Sequence, residues 1–410
     1  MTTTVPEFPG SRAPGAGART TRGDASTRSP WLHVLQAGAA LACGMGVGRF
    51  VYTPILPLMH AQAGLSAASG ANLATANYVG YFIGALLGML ASVSRSSAAL
   101  RISLLLLTAS LAAMPLTHAT GVWLILRLLA GICSALIFVI SASALLSHLR
   151  THPAHLAGWA FGGVGAGIAA SGLLVLALRS VADWRAAWWA AAILAALLVI
   201  PSWFLRPEPA PAPAPNPAAR HDPSPSQPDR HPHRFFAALF ASYTLEGIGY
   251  IIAGTFLVAA IGQSSPGWIG SGAWVLVGLA AIPSSALWAG LAKRRSRADL
   301  LLAALVIQAV GIALPALIGG VTAALISAVL FGGTFIGVST LALAAGRHLR
   351  FPRAVALLTA GYSVGQILGP IVARPLLNHG YHQALLLGGL IVAAAALASA
   401  LLRIGFPRAE

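Results

Sequence analysis

The chain has 410 residues, of which 57% are hydrophobic and only 8% charged, with a mean hydropathy of +0.79. A soluble domain carries about 25% charged residues, so a soluble globular protein is excluded and a multi-pass membrane protein is implied. The net charge of +16 raises nucleic acid as a partner, but the placement of the charges is that of membrane topology, and no nucleic acid is expected.

Residues 1–31 are basic and lack the apolar core of a cleaved signal, so they read as a disordered cytoplasmic tail. Twelve apolar spans follow, at 32–57, 72–92, 98–116, 120–147, 153–179, 185–205, 235–261, 268–291, 298–318, 321–346, 351–376 and 380–403. They are about 20 residues long and do not alternate, which selects helices over a closed barrel. Residues 206–234 contain PEPAPAPAPNPAARHDPSPSQPDRHPH, a proline-rich polar stretch that reads as an extended cytoplasmic linker. The expected domains are an N-terminal six-helix bundle at 32–205 and a C-terminal one at 235–403, with a cytoplasmic tail at 404–410. The fold class is an all-α membrane protein: twelve transmembrane helices in two pseudo-symmetric bundles.

Lys and Arg set the orientation. Twenty of the twenty-five fall in the tails and on the connections that follow even-numbered spans, while the opposite side holds only Arg179, Arg185 and Arg374. Both termini and the linker are therefore expected on the cytoplasmic side of a bacterial inner membrane. The halves also echo each other. His148-Leu-Arg recurs at His348-Leu-Arg, Val164-Gly165 at Val364-Gly365, and Gly46-Val-Gly48 at Gly247-Ile-Gly249. Six spans per half give both repeats one orientation, with a site expected between them.

Few charges remain inside the spans: Arg49, Arg127 and Glu246. Every histidine lies in a tail, a loop or a span end, and Cys43 and Cys133 lie inside apolar spans, which argues against a disulfide framework and gives no redox compartment. A charge at the centre of a membrane helix costs about 2.5–3.5 kcal/mol even on the lenient insertion scale. Glu246 is eleven residues past Phe235, roughly 17 Å along a helix rising 1.5 Å per residue, near the midplane. Its short side chain cannot reach the interface, so it must face protein, water or a cation, or carry a proton. Burial raises a carboxyl pKa and a nearby arginine lowers it, and a group held between those pulls can exchange a proton near neutral pH. The plainer readings are a permanent ion pair, or a neutral carboxyl bonded to a carbonyl.

Arg49 precedes Pro54 and Pro57, which are expected to end regular helix hydrogen bonding there. Two unmatched cations, Arg49 and Arg127, suggest an anion site, because guanidinium binds carboxylate in bidentate fashion. For Arg127 the competing reading is a bond to carbonyls of a kinked neighbouring helix. Tyr52, Asn77, Tyr78, Tyr81, Tyr243, Tyr250, Tyr362 and Gln366 together hint at a polar cavity wall, although each alone suits packing or the interface. The GGVGAGIAASG stretch at Gly162–Gly172 mimics a dinucleotide fingerprint but lacks the strand that motif needs, so close helix packing is expected of it.

The segments GMGVGRFVYTPILPLM, NYVGYFIGALLG, YTLEGIGYIIAGTFLVA, FGGTFIGVSTLAL and GYSVGQILGP resemble the YbfB/YjiJ family of the major facilitator superfamily of secondary transporters, over about Leu32 to Arg403. The resemblance implies spans one, four, seven and ten lining a central cavity. Those spans carry Arg49, Arg127 and Glu246. Two signatures depart from the superfamily pattern: Ser92 stands where its loop after span two has Asp, and Lys293 stands near the acidic position after span eight.

The expectation is a secondary transporter that moves a small, anionic solute by alternating access, with Glu246 carrying the driving proton. Arg49, Arg127, Tyr52, Asn77, Tyr81, Tyr243, Tyr250, Tyr362 and Gln366 are the candidate substrate contacts. No catalytic residue, metal or cofactor is expected, and a monomer in the lipid bilayer is the working assembly. A facilitator or exchanger without proton coupling is the alternative within transport. A membrane-embedded enzyme and a non-transporting sensor are the alternatives outside it.

Overall fold

The computed structural model describes residues 1–2, 29–150, 152–153, 155–207, 232–349 and 351–403. The basic tail at 3–28, most of the proline-rich linker and the tail at 404–410 lie outside the described residues. Among those residues there is no strand. The helices are α1 (Pro30–Leu41), a π-helical segment (Ala42–Val47), α2 (Tyr52–Ala63), α3 (Ala67–Gly88), the short α4 (Ala91–Ser94), α5 (Ser97–Ala113), α6 (Thr120–His148), α7 (His155–Leu178), α8 (Trp184–Ser202), α9 (Pro232–Ser264), α10 (Gly267–Leu291), α11 (Arg297–Leu317), α12 (Gly320–His348), α13 (Ala354–Ala373) and α14 (Tyr381–Ala400).

Helix starts follow local chemistry. The side chains of Ser66, Ser96, Asp183 and Ser296 accept from the amides of Ser69, Ala99, Ala186 and Asp299, the N-cap arrangement that satisfies otherwise orphaned donors. Ser96 and Ser296 do this at corresponding places in the two halves. Another echo closes the far ends: Gln62 accepts from the Trp184 amide at 2.7 Å and Gln263 from the Tyr381 amide at 2.9 Å, each tying the end of one helix to the start of another.

Among the described residues eleven helices are long and apolar enough to cross a membrane, with Pro30–Ala63 counted as one. The span expected at 72–92 forms as α3 and is long enough. Its Asn72, Thr75, Asn77, Tyr78 and Tyr81 leave it less apolar than the other eleven. Large apolar side chains such as Ile102, Leu105, Ile193, Leu197, Leu390 and Leu397 stand exposed, a surface that a lipid solvent accepts and water does not.

Pro30–Ala63 and His233–Ser264 bury 89% and 83% of their most apolar stretch, against 33–56% for the other nine, which puts these two segments at the centre. Around them, α1 packs on α7 and α8 as α9 packs on α13 and α14, α3 on α6 as α10 on α12, and α5 on α8 as α11 on α14. Across the halves, α7 meets α10 and α3 meets α13. The glycine-rich stretch of α7 makes two of these contacts: Gly163 and Gly167 lie against the backbone of Gly38, Ala42 and Gly46, and Gly162 and Gly165 against Ile282 and Gly278. It is a packing surface inside one helix, with no place for a dinucleotide turn.

The first span departs from expectation. Pro54 and Pro57 do not end it; both lie in α2, which runs on to Ala63. The break comes earlier, over Ala42–Val47, where Gly48 and Phe50 donate to Cys43 and Met45, five residues back, at 2.8 and 3.2 Å. This widened turn shifts the hydrogen-bond register by one residue just before Arg49. Pro54, with no N–H, then sits in the first turn of the new helix, where none is needed.

Candidate functional site

The register shift turns backbone carbonyls outward, and Arg127 meets them. From α6 its Nη1 donates to the Gly48 carbonyl and its Nη2 to the Arg49 carbonyl, both at 3.3 Å, with the guanidinium carbon 4.7 Å from the Tyr52 ring centroid. Tyr52 donates to the Gly70 carbonyl at 2.9 Å, and Asn77 donates to the Arg127 carbonyl at 2.9 Å. Arg127, Tyr52 and Asn77 thus form one cluster inside the first half. Of the two readings of Arg127, the geometry is that of the carbonyl bond, with only its Nε left without a partner.

Arg49 is different. It is 2% exposed, and none of its three nitrogens has a hydrogen-bond partner. Its guanidinium carbon lies over three rings, 4.3 Å from the Tyr81 centroid, 4.9 Å from Tyr78 and 5.4 Å from Phe50. Cation–π attraction of this kind contributes roughly 0.5–2 kcal/mol but supplies no oxygen acceptor.

The second half contributes a column of rings. Tyr243 stacks on Tyr362 at 4.4 Å, Tyr362 on Tyr250 at 5.4 Å, Tyr250 on Phe335 at 6.0 Å and Phe335 on Phe331 at 5.8 Å. Gln366 donates to the Tyr250 hydroxyl at 2.8 Å and leaves its own Oε1 without a donor. Phe50 joins the two halves, edge-on to Phe335 at 6.1 Å and 6.4 Å from Trp274. Two hydrogen bonds do the same: Tyr78 with Thr255 at 2.8 Å, and Thr53 to the Gly254 carbonyl.

Glu246 is fully buried. Its Oε1 accepts from Gln308 of α11 at 3.2 Å, and its Oε2 has no partner. Among the described residues no arginine or lysine forms an ion pair with it; the Asp299–Arg403 pair, 2.6 Å apart, is exposed at the first turn of α11. Glu246 and Arg49 instead share Tyr250 and Tyr362 as electrostatic neighbours.

The structure therefore brings Arg49, Tyr81, Tyr250, Tyr362 and Gln366 around one junction, with Tyr243 and Glu246 adjoining it, while Arg127, Tyr52 and Asn77 form a neighbouring cluster tied to the Arg49 carbonyl. Sequence reasoning missed Gln308, Phe50, Thr255, Trp274 and Phe335. Gln308 carried a signal, as a lone amide in the apolar run LVIQAVG. The others are residues common in any membrane helix.

Comparison with known proteins defines the class first. Two crystal structures of the nucleoside transporter NupG share the fold. The D323A mutant superposes with a TM-score of 0.67 at 15% identity, covering 91% of this chain and 99% of that one. The other NupG structure superposes with a TM-score of 0.64 at 15% identity, covering 92% and 99%. At that identity the likeness shows the fold alone. A family model described as the uncharacterised MFS-type transporter YbfB matches residues 41–402. The chain belongs to that family of the major facilitator superfamily: it is a multi-pass membrane protein of a transporter family. No curated protein matches it.

Proposed function

We propose that the protein is a secondary active transporter that moves a small anionic solute across a bacterial inner membrane, with proton movement coupled through Glu246. The two sets of paired helices form six-helix bundles that rock about the junction described above, exposing it alternately to each side. Both termini and the linker face the cytoplasm, as the arginine distribution favours. The boundaries proposed are 32–205 and 235–403 for the bundles and 206–234 for the linker.

One observation carries the reading: Arg49 is a fully buried cation at the contact of the two halves, without a hydrogen-bond partner. An arginine keeps its proton, and an unpaired buried charge is strongly unfavourable. A solute anion relieves that penalty each time it binds. Glu246, an electrostatic neighbour of the same Tyr250 and Tyr362, has one oxygen free to take a proton, and Gln308 holds the other oxygen in place. The solute at Arg49 and the proton at Glu246 therefore act on the same rings, a short route by which each favours the other.

The test begins with a thermal-shift screen of organic acids, amino acids and drugs on purified protein. A solute so found is then added to liposomes loaded with a pH-sensitive dye. The wild type carries protons with the solute, and Glu246→Gln carries solute without protons. Solute flux with no proton movement in the wild type identifies a facilitator instead, and saturable binding with no flux identifies a sensor.

A further inference from the structure

We infer that the junction between the halves takes an aromatic monocarboxylate, a flat ring bearing one carboxylate that Arg49 holds. The inference rests on the transport reading above and names its solute class.

The charge comes from counting. Within the described spans the buried Arg and Glu side chains are Arg49, Arg127 and Glu246. Arg127 donates to two carbonyl oxygens and lies over the Tyr52 ring, with only its Nε unpartnered, and Glu246 accepts from Gln308 on one oxygen. One cation is left without an acceptor, and one negative charge matches it. A second negative charge on the solute would meet no free cation and would itself be buried unpaired. Among anionic groups, carboxylate fits the guanidinium fork with two parallel bonds.

The ring comes from the walls. Phe50, Tyr78 and Tyr81 reach Arg49 from the first half, and Tyr250, Tyr362, Phe335 and Trp274 stand opposite from the second. These walls are largely aromatic, and an aromatic partner gains ring–ring attraction beyond its apolar burial. A saturated ring of the same size gains the burial only. Two further polar atoms of this wall lack partners: the Trp274 indole N–H, a donor, and Gln366 Oε1, an acceptor. Either suits a hydroxyl on the solute ring, and neither suits a bare hydrocarbon.

Binding to purified wild-type protein, followed by calorimetry and by tryptophan fluorescence, tests this with named probes: benzoate, 4-hydroxybenzoate, cyclohexanecarboxylate, benzamide, acetate and phosphate. Benzoate and 4-hydroxybenzoate bind, the latter at least as tightly. Cyclohexanecarboxylate and benzamide bind about 10-fold more weakly or worse, and acetate and phosphate do not compete. Arg49→Gln lowers benzoate affinity by about 10- to 100-fold, the loss of a charged hydrogen-bonded pair, and Arg49→Lys falls between. Should Arg49→Gln not fold, the wild-type series and Arg49→Lys decide.

Equal binding of benzamide and benzoate overturns the anion. Equal binding of cyclohexanecarboxylate and benzoate overturns the ring. Unchanged benzoate affinity in Arg49→Gln overturns the site, and so does the absence of saturable benzoate binding up to about 10 mM by cooperatively melting wild type. The two readings fail separately. Benzoate binding without proton-coupled flux removes the coupling and keeps the solute class, whereas proton-coupled flux of a non-aromatic solute without benzoate binding does the reverse.

Discussion

The first span and α9 occupy matching places, yet they solve the problem of a buried charge in different ways. Both press glycines on their neighbours: a Cβ at Gly46 would come within 2.5 Å of Gly167 Cα, and one at Gly247 within 2.7 Å of the Tyr362 carbonyl oxygen. From there they diverge. α9 runs unbroken over Pro232–Ser264 and holds Glu246 with an amide from α11. The first span breaks at a π segment, which frees two carbonyls that hold Arg127 and leaves the next side chain, Arg49, with only rings around it. A helix break is therefore a way to neutralise one cation with backbone while presenting another.

That comparison is broken or sharpened by substitutions, read as melting temperature and yield of purified protein. The largest effect is expected of Gly46→Leu and Gly247→Leu. Each forces a side chain into neighbouring backbone, at or above the roughly 3 kcal/mol end of overpacking costs, and neither is expected to yield folded protein. If one folds normally, the glycine packing on its side is not tight. Arg127→Met comes next: it strips the Gly48 and Arg49 carbonyls of their donors, and a loss of about 3 kcal/mol is expected. Ser96→Ala and Ser296→Ala each lose an N-cap and about 1 kcal/mol. Their near equality would mark what the halves share, and a large difference would count against equivalent roles. The smallest effect is expected of Arg49→Met, which removes a buried charge that has no acceptor to lose; melting temperature stays level or rises. The contrast between the two arginines is the point. A large destabilisation by Arg49→Met would mean that its rings, not a solute, are its purpose.

Much of the helical fold was legible because a bilayer leaves few choices: long apolar runs become helices, and the small-residue stretch of α7 packs as expected. The break was not legible. Pro54 and Pro57 advertised a stop, but Pro54 falls in a first helical turn, where it loses no hydrogen bond, and α2 carries Pro57 in its interior, while the shift at Ala42–Val47 falls in ACGMGV, whose glycines weaken a helix without marking where its register changes. The site was half legible. A lone Glu246 and Arg49 stand out in apolar sequence because each is expensive there. Arg127 stands out equally and yet donates through both Nη atoms to backbone, and a carbonyl freed by a register shift leaves no mark in a side-chain pattern.

The central claim is that Glu246 links proton movement to solute movement. Liposomes carrying a solute found by the thermal-shift screen test it most directly when two fluxes are measured side by side, accumulation driven by a pH gradient and solute-for-solute exchange without one. With Glu246→Gln, accumulation is predicted to be lost while exchange persists. Gradient-driven accumulation by Glu246→Gln at the wild-type level would contradict the account.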